Sequence, residues 1–286
     1  MTTQVSCPQA RPLPNRAMNF RSCLVLAAAV TLRTNPANGA TLLGQQVHPG
    51  GTLDLQFPLS NYLQQMAAEG GRNPRPTTGR VLLFFPKNFD ANRSWPILIV
   101  TSTSDLERTS IMDAPAYRDP ATKEGWIVLA TDATIRPRAD SVRWRLSILS
   151  GALEMIRKEW PQSGSWPVAF AGFSGGAKRS GIEATMLADT RGFRICGIFM
   201  AGINSDELSA ACRDFHPPPE FFNTPVWISS GDGDPIAPPG AQEKVYYSIK
   251  RTGFKNARLE KFFGSHQLKK PEVQRALRWF REVGKF

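Results

Sequence analysis

Short apolar runs recur along the chain from about residue 79 onward, with amphipathic stretches between them. The runs cover residues 81–85, 97–100, 126–130, 168–171, 195–200, 226–229 and 257–262. Several are continuously apolar, as strands buried on both faces are. The stretches between them follow the helical period. Val142, Leu146, Leu149, Leu153, Ile156 and Trp160 form one stripe, with Asp140 read as the N-cap and Pro161 just past the end. A last helix opens at Pro271-Glu272 and buries Val273, Ala276, Leu277 and Phe280. Strand-like and helical segments in alternation predict an α/β fold, a mostly parallel sheet of about eight strands with helices on both faces.

Residues 41–78 are less regular. Leu53, Leu55 and Phe57 alternate with polar residues, as on an edge strand, and residues 70–76 read as a loop. Residues 201–224, between two core strands, carry His216, three consecutive prolines and Phe221-Phe222. They read as a small cap insertion or a surface loop. The chain thus divides into a leading segment, 1–40, and one domain, 41–286.

The leading segment looks like an export signal. Arg16 and Arg21 precede the apolar run 23–32, and the small residues Ala37, Gly39 and Ala40 follow. Ten residues are too few to cross a bilayer, which takes ~20. Met18 is an alternative start that gives a signal of more usual length. Cys23 follows Arg21-Ser22 rather than the Leu-x-x of a lipoprotein site, so a lipid anchor is unsupported. The expected location is secreted or periplasmic. Of the four cysteines, Cys196 and Cys212 lie beyond this segment, as one disulfide or as buried thiols.

The formal net charge is +11; setting aside the four arginines of residues 1–40, a segment without acids, leaves +7. The remaining basic residues come singly or in pairs, as in Lys178-Arg179 and Lys269-Lys270. Nucleic-acid binders cluster them or carry a named motif, so a solvated basic surface is expected and nucleic acid is not. Neither His-Glu-x-x-His nor a phosphate-binding glycine loop is present, so no metal or cofactor is expected.

The chemistry centres on Gly172-Phe173-Ser174-Gly175-Gly176, between an apolar strand and a small-residue helix start. A serine on so sharp a turn takes a strained backbone that lifts its hydroxyl clear of the sheet. The flanking positions come close enough to demand glycine. The N–H of Gly175, at the helix start, is a candidate oxyanion donor. Serine needs a base, and the chain has three histidines. Partners of such an elbow follow in the order serine, acid, histidine, with the histidine after the last strand. His266 alone satisfies this order; His48 precedes the core and His216 lies in the insertion. The acid should follow the strand at 226–229, where Asp232 and Asp234 both stand in Gly231-Asp232-Gly233-Asp234-Pro235. Either fits by position, and either suits a turn.

These residues resemble the α/β-hydrolase superfamily over about residues 50–286. The likeness is strongest to secreted esterases of the polyhydroxyalkanoate-depolymerase and feruloyl-esterase type and to dienelactone-hydrolase-like proteins. The segment 81–90 leading into 95–100 resembles their opening strands. In that family the acid follows Gly-x-x-Asp-x-x-x-Pro, which here implies Asp234 between Gly231 and Pro238. The family usually continues its opening strand with His-Gly, whose backbone gives the second oxyanion donor. Here Thr101-Ser102-Thr103-Ser104 stands instead, making Ser102 and Thr103 the candidates. The resemblance implies a serine hydrolase acting on a small-molecule or polymeric ester through an acyl-enzyme, with Ser174, His266 and Asp234 as triad. A prolyl-oligopeptidase-type peptidase and a catalytically degenerate ligand-binding member are the alternatives. The first lacks room for a gating domain, and the altered oxyanion segment is the best support for the second.

Overall fold

The computed structural model describes residues 39–104, 106–190 and 192–286. The apolar run expected as an export signal lies outside them.

A short antiparallel hairpin, β1 (Thr41–Leu42) and β2 (Gln45–Gln46), precedes the main sheet. The sheet is built from β3 (Thr52–Pro58), β4 (Thr78–Phe84), β5 (Ile97–Thr101), β6 (Ile127–Ala133), β7 (Pro167–Phe173), β8 (Arg194–Ala201), β9 (Val226–Gly231) and β10 (Ala257–Phe262). Its eight strands run in the order β10-β9-β8-β7-β5-β6-β4-β3. β4 is antiparallel to both β3 and β6, and all other pairs are parallel. This is the expected eight-stranded, mostly parallel sheet, with β3 as its alternating edge: Leu53, Leu55 and Phe57 are buried and the residues between them exposed.

Helices cover both faces, and alternate strand residues divide between two cores. Val81, Leu83, Ile97, Ile99, Phe170 and Ile228 pack with α1 (Asn61–Glu69), α4 (Val142–Glu159), α5 (Gly175–Asp189), α6 (Glu207–Phe215) and α7 (Pro239–Thr252). Leu82, Phe84, Leu98, Val100, Phe199 and Trp227 face α3 (Pro115–Lys123) and α8 (Lys270–Gly284), with the short α2 (Ser110–Asp113) leading into α3. The last helix buries Val273, Ala276, Leu277 and Phe280 as the spacing predicts. Burying a side chain of this size contributes about 1.5–3 kcal/mol.

Two local expectations are corrected. The N-cap of α4 is Ser141, whose side chain accepts from the Trp144 N–H at 3.1 Å. Asp140 is instead taken by two arginines, Arg145 and Arg179. The apolar stripe of α4 is also too narrow a description. Trp144, Ile148, Ala152 and Met155 are buried too, because α1 covers the side of α4 that the sheet leaves free.

Residues 201–224 contain α6 and a 3₁₀ turn at Pro219–Asn223. Leu208, Ala211 and Cys212 are buried, and α6 lies against α5 and α7. Phe221 and Phe222 cluster with Phe254, at ring centroids 5.5 and 5.4 Å from it. Cys196 and Cys212 are both buried free thiols. They sit in the two different cores, so the sheet separates them. Burial pushes both thiols up, Cys212 to about 11, which makes them inert rather than reactive.

The connections set the site. From β5 the chain turns to β6 on one side, and from β7 it turns to β8 on the other. The carboxyl ends of β5 and β7, paired in register at Thr101 and Gly172, therefore flank a topological switch point, where open α/β sheets bind ligands.

Candidate active site

Ser174 occupies the turn between β7 and α5, with φ 57° and ψ −121°. A non-glycine residue at such angles is strained, and the surroundings must hold it there. Its N–H donates to the Ala201 carbonyl at 2.8 Å, and its carbonyl accepts from the Ala177 N–H at 3.0 Å. The glycines at both flanks are steric necessities. A methyl group on Gly172 would run into the Gly176 backbone, and one on Gly176 into the Thr101 carbonyl. Thr101 Oγ1 closes the turn by donating to the Gly176 carbonyl at 2.7 Å.

His266, between β10 and α8, meets Asp234. Its Nδ1 lies 2.8 Å from Asp234 Oδ2, with the two side chains 12 % and 1 % exposed. The other carboxylate oxygen, Oδ1, accepts from the Ile236 and Ala237 N–H groups at 2.9 and 2.7 Å. Burial pushes the Asp234 carboxyl up, but the Ala237 N–H, His266 and the Ile236 N–H outweigh it, and its pKa lies below the ordinary value. Asp234 is thus held as an anion against the histidine ring. Asp232 does different work: its Oδ1 accepts from the Gly264 N–H at 2.9 Å and ties the loop after β9 to the loop after β10. Of the two aspartates left open by position, Asp234 is the one that meets His266. His48 and His216 are exposed, and His216 ends α6 in the left-handed conformation.

Two residues given no role in the sequence reading, Phe173 of the elbow motif and Gly202, shape the histidine's seat. The Phe173 ring packs on His266 at 4.6 Å between centroids. Gly202, at φ 61°, lies under the ring, and a Cβ there would come within 2.8 Å of His266 Cε1. A glycine directly after a core strand was the available signal.

The candidate oxyanion residues separate. Gly175 begins α5, and a Cβ on it would stand 2.6 Å from Thr103 Cγ2, so the loop after β5 abuts the elbow. Thr103 is exposed there, beside Gly175. Ser102 is buried and turned inward. Its N–H donates to Ser110 Oγ at 3.2 Å, and its carbonyl accepts from Arg145 Nη1 at 2.9 Å.

Among the described residues no group of three or more His, Cys, Asp or Glu side chains is placed to hold a metal ion. No helix among them is long and apolar enough to cross a membrane.

No protein-family model and no curated protein matches the sequence. Solved structures do match. An esterase from Pyrobaculum calidifontis aligns at TM-score 0.56 and 13 % identity, over 82 % of this chain and 86 % of its own. A thermophilic, thermostable carboxylesterase cloned from a metagenomic library aligns at 0.55 and 13 %, over 84 % and 91 %. A bacterial heroin esterase aligns at 0.54 and 13 %, over 82 % and 84 %. The fold is that of the α/β-hydrolases.

Proposed function

We propose that this protein is a serine carboxylic-ester hydrolase. The observation that carries the reading is the part-buried 2.8 Å contact from Asp234 to His266 Nδ1, in a chain whose strained elbow presents Ser174 at the switch point. An acid on Nδ1 fixes the tautomer in which Nε2 accepts a proton. In the mechanism His266 takes the Ser174 proton as Oγ attacks the ester carbonyl, and the carbonyl electron pair moves onto its oxygen. The Gly175 and Thr103 N–H groups receive that oxyanion. Collapse expels the alcohol with the proton from His266, leaving an acyl-Ser174. Water, deprotonated by His266, then releases the acid. Esterase activity in neighbours of the same fold is consistent with this chemistry. The substrate class is a small-molecule or polymeric ester. Hydrolysis of nitrophenyl esters of increasing acyl length, by the wild type and by Ser174→Ala, tests the reading. Export of the mature chain, beginning near Ala40 or Thr41, belongs to the same proposal.

A further inference from the structure

Resting on the esterase reading, we infer that Arg145 is a positioning residue that aims the Thr103 N–H into the oxyanion site, in the place of the family's His-Gly loop. The carbonyl of Ser102 and the N–H of Thr103 belong to one peptide unit. That unit is planar and trans, so its N–H points opposite to its C=O. Whatever fixes the Ser102 oxygen therefore fixes the direction of the Thr103 donor. Arg145 Nη1 does so at 2.9 Å, with a second contact to Ser102 Oγ at 3.3 Å. On the other side of Ser102, its own N–H is held by Ser110 Oγ at 3.2 Å. Both peptides of Ser102 are anchored, one from α4 and one from α2.

The guanidinium is itself held. Its Nε and Nη2 fork onto Asp140 Oδ1 and Oδ2 at 2.8 and 3.2 Å. Asp140 Oδ2 also accepts from Arg179 Nη2 at 3.1 Å, on α5 one turn beyond Gly175. One carboxylate thus links the loop carrying Thr103 to the helix carrying Gly175, so both oxyanion donors share a frame. Arg145 is 4 % exposed, in the first turn of α4 between the buried Trp144 and Leu146. Well-packed apolar residues usually replace buried ion pairs without loss of stability, so packing alone gives little reason for an arginine there. A carbonyl that accepts from a cation also leaves its amide a stronger donor.

The test uses full-length protein with nitrophenyl acetate as substrate, a trifluoromethyl ketone as transition-state probe and an unreactive ether isostere as ground-state probe. The ketone is attacked by Ser174 to give a hemiketal oxyanion, so its affinity reads the oxyanion site. A misplacement of about 1 Å costs on the order of 100-fold. In Arg145→Met, kcat falls about 100-fold and ketone affinity falls with it, while KM and ether affinity stay within about threefold. Arg145→Lys keeps the buried charge beside Asp140 but cannot fork onto both partners, and it shows the same split should the Met variant not fold. Arg143→Ala, on the same helix but paired with Glu69 at the exposed surface, leaves all four quantities unchanged. Wild-type ketone affinity retained in a folded Arg145 variant, or equal losses for ketone and ether, overturns the inference. Failure of the wild type itself to hydrolyse the ester or bind the ketone overturns the esterase reading, and this inference with it.

Discussion

The loop after β9 and the loop after β5 flank the proposed site, and their key groups are held by different means. The β9 loop is held by its own turn and by the β10 loop it lies against. Asp234 accepts from the N–H groups two and three positions on, and Asp232 reaches only to the adjacent β10 loop. Gly231 passes so close to the Ser265 carbonyl that a Cβ would stand 2.5 Å from it. The β5 loop has no glycine and is fixed by Ser110, eight residues away, and by Arg145, 43 residues away. Asp234 is fixed within its own turn, whereas the Ser102–Thr103 peptide is fixed from α4.

That contrast is open to breaking from both sides. Asp234→Asn has the largest expected effect, a loss of ~10⁴ in kcat, because an amide on Nδ1 stabilises the wrong histidine tautomer. Steady-state kinetics at saturating substrate measure it. A loss below about tenfold would remove Asp234 as the acid. On the opposite loop, Thr103→Pro deletes one backbone donor and lowers kcat about 100- to 1000-fold, the usual cost of an oxyanion contact. Thr103→Ala keeps the N–H and stays near wild type, so the pair distinguishes a backbone donor from a hydroxyl. Asp232→Asn retains an acceptor for the Gly264 N–H and costs about tenfold or less; a crippled Asp232→Asn would move the acid to that position.

The smallest effect is on stability and concerns Asp132, at the end of β6. Burial pushes its carboxyl up, partly opposed by hydrogen bonds from the Ala133 N–H and Thr109 and by the charges of Arg80 and Arg145. An acid whose pKa is raised on folding penalises the folded state once it ionises. The penalty is absent below the unfolded value of about 3.9 and grows as pH rises through the raised folded value. Asp132→Asn should therefore raise the thermal midpoint by about 1–2 °C at pH 7–8 and leave it unchanged near pH 4. Calorimetry at the two pH values checks the sign.

The same contrast explains what the amino-acid sequence discloses. The sheet was legible because β5–β9 are buried on both faces and read as continuous apolar runs. The sharp turn at Ser174 was legible because it requires glycines at fixed offsets, and the place of His266 beside the β9 loop because the last loop holds a single histidine. Position alone left Asp232 and Asp234 open, because both sit in a glycine turn, and the hydrogen bonds that separate them depend on the fold. α1 was missed because its buried side is only Leu63, Met66 and Ala67, too short a pattern to stand out. Arg145 was invisible in a helix read by its apolar stripe, since nothing local marks a charged residue as buried. Of its partners, Asp140 is five residues upstream, but Ser102 is 43 residues away and only the folded sheet brings it to α4.

The central claim is that Ser174 is a nucleophile activated by His266. A fluorophosphonate probe tests it without knowledge of the substrate, because phosphonylation requires an activated serine. The account predicts one adduct on the wild type, mapped by mass spectrometry to the peptide carrying Ser174, slowed in Asp234→Asn and absent in Ser174→Ala with an unchanged thermal midpoint. An unlabelled wild type, or equal labelling of folded Ser174→Ala, would contradict it.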